Sequence, residues 1–458
     1  MKNTRRRSFA LYILVFGFLF GLGVFTFKLA TNADTWALSS INRHVSGMGL
    51  SSSGKVLDKS NVILAQSVDN KRVYHTDDKI RRAMLHTVGD STSQITTSIQ
   101  NLYRADLYGY NFITGINCPS FLTTRKNIKL TLDSEVCKVA LERLGSNRGA
   151  VAVYNYKTGN IICMVCTPTY DPYNPPIIKD DTDGPYAGAY LNKVLSSNYT
   201  PGSTFKIITS TCGIENIPNI DSKVFNCSKT FKVDNADITC LSGHGDIVFK
   251  NAFAKSCNIY FAKLAIELGA DKMTSASNAL GFNKSFNINK AQTKPSKYDV
   301  SSASNYYLGW SGVGQYNDLV NPMHMLMLMG AIANDGTAVM PNMIEDITSD
   351  NTFSFFPNSY KKAEDVSFMS KETAGKLKEI MRHAVKTSYG DTLFKDLSIC
   401  AKTGTAEVGE EKTPHAWMVG FATNEENPLA FVVVAENAGS GLKSAAPIAK
   451  AVMEAAAK

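Results

Sequence analysis

Apolar and polar residues fall along this chain in three regimes. Residues 8–30 are apolar except for Lys28, a run long enough for a helix to cross a bilayer. Lys2, Arg5, Arg6 and Arg7 precede it. Basic flanks favour the cytoplasmic side, which puts residues 1–7 inside and the chain after the span outside. The run is longer than the apolar core of a cleaved signal peptide, and no small-x-small site closes it. It therefore reads as a retained single-pass anchor in the cell membrane. Residues 31–126 are polar, with few periodic segments, and read as an extracytoplasmic stalk. From 127 onward the pattern becomes strongly periodic. Residues 127–133 alternate as a strand that leads into a helix over 134–144. A hairpin pattern opens at 149–154, the stretches 398–407, 414–422 and 429–435 read as further strands, long apolar helices are predicted between the first of these and the rest, and 445–457 closes the chain as a helix. A loop rich in Pro and Asp fills 171–184. The fold class this predicts is α+β, an antiparallel sheet flanked by helices on both faces.

Three short motifs concentrate the chemistry in this last region. In Thr200-Pro-Gly-Ser203-Thr-Phe-Lys206, Pro201 and Gly202 break the preceding segment and an apolar run follows. That predicts a helix start with Ser203 at or near the N-cap. Lys206 then lies one turn behind Ser203 on the same face. A serine hydroxyl is a weak nucleophile until a base takes its proton. Lysine is such a base when desolvation or its neighbours hold it neutral part of the time, and a helix N-terminus offers N–H groups to a developing oxyanion. Ser256-Cys257-Asn258 interrupts a helical pattern that Asp246 would cap and Gly269 would end. Ser256 is placed to relay protons, and Asn258 to bond a substrate amide through both its donor and its acceptor. Lys402-Thr403-Gly404-Thr405 reads as a strand. Lys402, Thr403 and Thr405 offer donors to a carboxylate along one edge, and Gly404 lets a ligand approach the backbone. Each motif alone is unremarkable: a capping serine, a polar patch in a helix, a strand with a surface lysine. A single site accounts for all three at once.

In this order the three motifs resemble those of the class B penicillin-binding proteins, the monofunctional peptidoglycan D,D-transpeptidases of the penicilloyl serine transferase family. The resemblance extends over nearly the whole chain. Leu191-Asn-Lys193 is similar to the lead-in to the nucleophile motif. Gly149 to Tyr154 with Thr158 to Cys163 resembles the opening hairpin. Gly312-Val-Gly-Gln315, Pro322-Met-His-Met325, His415-Ala-Trp417 and Gly420-Phe-Ala422 resemble segments around the third motif. The stalk departs from the pattern: Ser53-Gly-Lys-Val-Leu-Asp58 stands where members often begin with Arg-Gly.

The resemblance implies a transpeptidase (penicillin-binding) domain over 127–458. It makes Ser203 the acylated nucleophile, Lys206 its base and Ser256 the relay. Asn258 becomes the substrate-amide ligand, and Lys402, Thr403, Gly404 and Thr405 the binding site for the terminal carboxylate. The backbone N–H groups of Ser203 and Thr405 would form the oxyanion hole. The implied reaction cross-links peptidoglycan stem peptides through an acyl-enzyme, is blocked by β-lactam antibiotics and needs no cofactor. A polytopic membrane glycan polymerase of the SEDS type is the implied partner. Hydrolysis by a carboxypeptidase or β-lactamase, and a non-catalytic penicillin-binding scaffold or sensor, stay open as alternatives. No Glu-x-x-x-Asn pattern lies between Asn258 and Lys402 to supply a water-activating base.

Composition adds limits. At 458 residues the chain holds an anchor, a small module and one catalytic domain. Half of its formal net charge of +8 sits in the four basic residues before the span, and no basic face interleaved with aromatics points to nucleic acid. Of the nine cysteines, Cys163 and Cys166 fall in a strand pattern, and the spacings and scattered histidines do not predict a metal site. Cys227 and Cys240 bracket a turn-rich loop and are expected to pair as a disulfide outside the cytoplasm. His244 and His415 are read as structural.

Overall fold

The computed structural model describes residues 2–37, 53–109, 125–178, 184–349, 363–409 and 412–458. The expected stalk and the 171–184 loop lie partly outside these residues. The anchor forms the helix Lys2–Ala37. Its Thr4–Leu29 part is long and apolar enough to cross a membrane, and Phe9, Tyr12, Phe16 and Phe20 stand exposed along it.

Five antiparallel strands make the main sheet, in the order Ile399–Ala406, His415–Ala422, Leu429–Ala435, Gly149–Asn155, Ile161–Thr167. The last of the carboxy-terminal strands therefore pairs with Gly149–Asn155, the first strand of this sheet in chain order. Every residue of Leu429–Ala435 is buried. An apolar run of this kind, with no polar alternation, belongs to a strand covered on both faces. The all-buried helix Pro322–Ala333 packs against it. Ser134–Leu144 and Ala446–Ala456 pack against the sheet and against each other. Ile399–Ala406 is left as an edge strand, and its open side faces the Ser203 turn.

A second sheet has the order Ile344–Ser349, Lys126–Leu130, Val56–Leu57, Ile63–Val68, Lys71–Tyr74. Lys126–Leu130 pairs in parallel with Val56–Leu57 and antiparallel with Ile344–Ser349. Asp58, from the divergent stalk stretch, is buried and accepts hydrogen bonds from Ser60 N (2.8 Å), Val62 N (2.9 Å) and Ser134 Oγ (2.7 Å).

One local expectation is corrected and two are refined. Asp246 does not cap a helix. It sits in the strand Gly245–Val248, and the following helix Phe249–Ala254 starts at Val248 without a side-chain cap. Gly269 ends the first helical stretch as expected: at φ 80° and ψ 160° it is non-helical, and a second helix follows the kink within Asn258–Ala279. Ser203 lies inside a 3-10 turn, Gly202–Phe205, ahead of the helix Lys206–Asn216, whose N-cap position is Phe205. The tighter turn arises because Gly202 takes a left-handed φ of 53° against the edge strand. A Cβ there would lie 2.6 Å from the carbonyl oxygen of Thr405.

Candidate active site

The turn that carries Ser203 is fixed from three sides. Gly202 N donates to Gly314 O at 2.9 Å. Gly314 approaches so closely that a Cβ on it would meet Gly202 O at 2.0 Å. Tyr199 and Val320 exchange backbone hydrogen bonds at 3.0 and 2.8 Å. Below, Trp417 donates its indole N–H to Thr200 O at 3.0 Å, and the Tyr199 ring meets the Trp417 and His415 rings edge-on. The Lys193 ammonium is buried in an ion pair with Glu436, which also accepts from the Tyr199 hydroxyl at 2.8 Å. The Leu191-Asn-Lys193 lead-in thus ties the nucleophile turn to the end of Leu429–Ala435.

Lys206 is fully buried at the centre of the site. Its Nζ lies 3.0 Å from Ser203 Oγ, 2.7 Å from Ser256 O, 3.1 Å from Ser256 Oγ and 2.8 Å from Asn258 Oδ1. Ser256 reaches this position in a left-handed conformation, φ 53°. That turn ends the short helix Phe249–Ala254 and starts Asn258–Ala279. Lys402 Nζ is likewise buried and donates to Ser256 Oγ at 3.0 Å, Thr403 O at 2.9 Å and Tyr389 Oη at 3.4 Å.

Among the described residues neither lysine has a carboxylate partner, and electrostatics follows from that. Burial first, and then the nearby Lys402 charge, push the Lys206 ammonium well below its usual range. Burial alone brings Lys402 down to about 7. Desolvation always penalises the charged form, and for Lys206 the nearby Cys257 and Cys240 offset it only in lesser part. A neutral Lys206 fits its surroundings. Two N–H groups serve the Ser256 carbonyl and Asn258 Oδ1, and the lone pair is left to receive the Ser203 hydroxyl proton.

All eight residues singled out from sequence converge here. Asn258 Oδ1 accepts from Lys206, and one Nδ2–H is given to Thr239 O at 3.0 Å. Its other N–H and the second lone pair of Oδ1 remain, so it still offers a donor and an acceptor. Gly404 is held to glycine by the protein's own nucleophile turn as well. A Cβ there would lie 2.8 Å from Pro201 O and 3.0 Å from Thr204 Cγ2. Along this strand Lys402, Gly404 and Ala406 are buried, while Thr405 is exposed. Sequence reasoning missed Tyr389. Its buried hydroxyl accepts from Thr403 N at 3.3 Å and from Lys402. It ends the π-helical turn Val385–Tyr389, outside any motif, and no local pattern marks it.

The cysteine expectation is also corrected. Cys227 and Cys240 are free thiols, as are all the cysteines among the described residues. His415 behaves as read, half-buried, with Nδ1 accepting from Asn437 N at 3.0 Å.

Comparison with known proteins agrees with this geometry. The family model for the penicillin binding protein transpeptidase domain matches residues 149–454. The chain is 27% identical over 366 residues to the peptidoglycan D,D-transpeptidase PbpA of Mycolicibacterium smegmatis, covering 72% of each chain. Its fold is similar to the D,D-transpeptidase domain of a peptidoglycan glycosyltransferase from Eggerthella lenta, with a TM-score of 0.75 and 26% identity over 88% of this chain and 98% of that one. It is also similar to penicillin-binding protein A from M. tuberculosis in a ceftriaxone acyl-enzyme complex, with a TM-score of 0.76 and 24% identity over 89% and 99% of the two chains.

Proposed function

Because this chain belongs to the penicillin-binding protein transpeptidase domain family, we infer that it is a peptidoglycan D,D-transpeptidase working through an acyl-enzyme on Ser203. The observation that carries the assignment is the buried Lys206 amine, 3.0 Å from Ser203 Oγ, with no carboxylate partner among the described residues to hold its proton.

The chemistry follows from that contact. Neutral Lys206 takes the Ser203 proton as Oγ attacks the penultimate D-Ala carbonyl of a stem peptide. The backbone N–H groups of Ser203 and Thr405 receive the oxyanion, on the two sides of the contact between Gly202 and the edge strand. Collapse of the tetrahedral intermediate breaks the peptide bond. The leaving D-Ala amine collects a proton through Ser256 Oγ, which lies within 3.1 Å of Lys206 and 3.0 Å of Lys402. An amine on a neighbouring strand then attacks the ester, and Lys206 runs the same steps in reverse order. Lys402, Thr403 and Thr405 receive the terminal carboxylate, and the free Asn258 N–H the substrate backbone. A β-lactam enters as a mimic of the acyl donor and stays on Ser203.

The Thr4–Leu29 helix supports a membrane anchor. The basic residues before it favour a cytoplasmic amino terminus and an extracytoplasmic transpeptidase domain over 127–458. In that orientation a polytopic glycan polymerase is the natural partner, since it would make the strands that this enzyme links.

The test uses the full-length chain in detergent, a fluorescent penicillin, intact-mass spectrometry and tryptic mapping. A stable single adduct on Ser203, lost in Ser203→Ala, is the expected result. An adduct that clears within seconds would identify a hydrolase, and none at all on folded protein would leave a scaffold.

A further inference from the structure

The hairpins ahead of Ser256 have little core of their own. Val224–Cys227 pairs with Gly245–Val248, and Thr230–Val233 with Ala236–Thr239, each as a separate two-stranded sheet. Val224 and Leu241 are exposed. Isolated two-stranded sheets are marginally stable in water, and small segments of this kind are commonly stapled by disulfides or metals. Three cysteines and a histidine meet where these hairpins reach the Ser256 segment.

We propose that Cys227, Cys240, His244 and Cys257 form a tetrahedral zinc site that clamps the hairpins to the Ser256-Cys257-Asn258 segment. Their four ligand atoms lie within 4.8 Å of one another. Zinc bound at about 2.3 Å to sulfur and about 2.0–2.1 Å to nitrogen needs S···S edges of about 3.8 Å and S···N edges of about 3.5 Å. Cys227 Sγ is 3.4 Å and Cys240 Sγ 3.8 Å from His244 Nδ1. Small side-chain rotations bring the longer separations into range. The donors are of the right chemistry: soft thiolates with one imidazole in tetrahedral array select zinc. All three thiols are buried, and His244 is half-buried, so the site is closed to substrate and structural in kind.

The surroundings orient the ligands as well. His244 uses Nδ1 toward the thiols and turns Nε2 to Ser242 Oγ at 3.2 Å, the outer contact that fixes a ligating imidazole. Tyr260 N donates to Cys257 Sγ at 3.4 Å, which favours a thiolate. Cys257 stands between two site residues, and Asn258 already holds Thr239 of the hairpin at 3.0 Å. The ion would therefore lock the left-handed turn at Ser256 that places its hydroxyl between Lys206 and Lys402. A Cys227–Cys240 disulfide would leave His244 and Cys257 without a shared partner, whereas one ion satisfies all four groups.

The test is metal analysis of the full-length chain purified in detergent with zinc and then gel-filtered. About one zinc per chain is expected. Cobalt substitution should give the intense visible bands of tetrahedral thiolate coordination. His244→Ala should lose the metal and His244→Cys keep it, which separates ligation from misfolding. Ser242→Ala should bind zinc about 10–100-fold more weakly. Penicillin labelling should slow, and the melting temperature should fall, in the metal-free variants. The proposal is overturned if folded wild-type chain with titratable thiols takes up no zinc or cobalt, or if non-reduced peptide mapping finds Cys227 joined to Cys240.

Discussion

Replacing Lys402 by Gln tests how the site keeps its base neutral. Lys206 and Lys402 both touch Ser256 Oγ, at 3.1 and 3.0 Å, so their nitrogens lie at most about 6 Å apart. Two unit charges at that distance repel by about 3 kcal/mol at an effective dielectric near 20, which corresponds to about two pKa units. Burial is the larger cause of the Lys206 depression and the Lys402 charge the second. Lys402 itself titrates at about 7, so its charge is only partial at neutrality. The working expectation is therefore a shift of about one unit, and at most about two. The sign is definite: removing a positive neighbour raises the Lys206 pKa. The acid limb of the acylation rate, which reports the fraction of neutral base, moves to higher pH. The assay is stopped-flow acylation of wild type and Lys402→Gln by a chromogenic β-lactam from pH 5 to 10. The maximal rate also falls, because a carboxylate ligand is gone. A lowered rate with an unmoved acid limb would refute the coupling and leave Lys402 as a ligand for substrate alone.

Three further outcomes are expected. Asp318 is fully buried, and both its oxygens lack a partner. Burial raises its pKa well above the usual carboxylate value of 3.8, so the unfolded chain loses this proton at lower pH than the folded chain. Stability then declines as pH rises above about 4. Asp318→Asn should melt higher than wild type at neutral pH, with the gap closing toward acid pH, and equal melting curves at pH 7 and pH 4 would contradict this. Asn321 binds Leu195 O and Ser197 O at 2.9 and 2.8 Å and caps the Pro322–Ala333 helix through His324 N at 3.2 Å. Asn321→Ala should cost about 3 kcal/mol in denaturant unfolding, from two stranded carbonyls and a lost cap. Tyr389→Phe removes the acceptor for Thr403 N and should slow acylation by less than about tenfold, because each bond is long and worth about 1 kcal/mol; a loss as deep as that of Ser203→Ala would give Tyr389 a direct part in the chemistry.

The strands of the main sheet were legible because they carry unbroken apolar runs, as in Leu429–Ala435, or a signature such as Lys402-Thr-Gly404. Residues that act through their position were not. Nothing adjacent to Tyr389 foretells that it reaches Thr403, and the left-handed φ of Ser256 is imposed by the two helices that meet there. Asp246 has the chemistry of a cap but pairs with Asn226 in a ladder, where its Oδ1 accepts from Asn226 Nδ2 at 2.8 Å. Gly404 was read as a point where a ligand approaches the backbone, and the fold adds a second close approach there, by Pro201 O. The cysteines show the limit most clearly. Spacing along the chain suggested a pair at Cys227 and Cys240. The ladder between Cys227 and Gly245 instead carries His244 over both thiols, and the helix start adds Cys257. Such a cluster emerges only when three separate turns are folded together.

The pairing of Ala435 with Gly149 also sets a timetable for biogenesis. The strand bearing Lys402 joins the domain's opening hairpin only through the two strands made after it. A nascent chain can build the helices around Ser203 early, but it has no lower wall for the pocket until the strands 399–435 are made. Such non-local closure is slow and exposes unpaired edges while it waits. Antibiotic reactivity should therefore switch on late and abruptly during synthesis, leaving partly made chains blind to the drug that inactivates the finished enzyme.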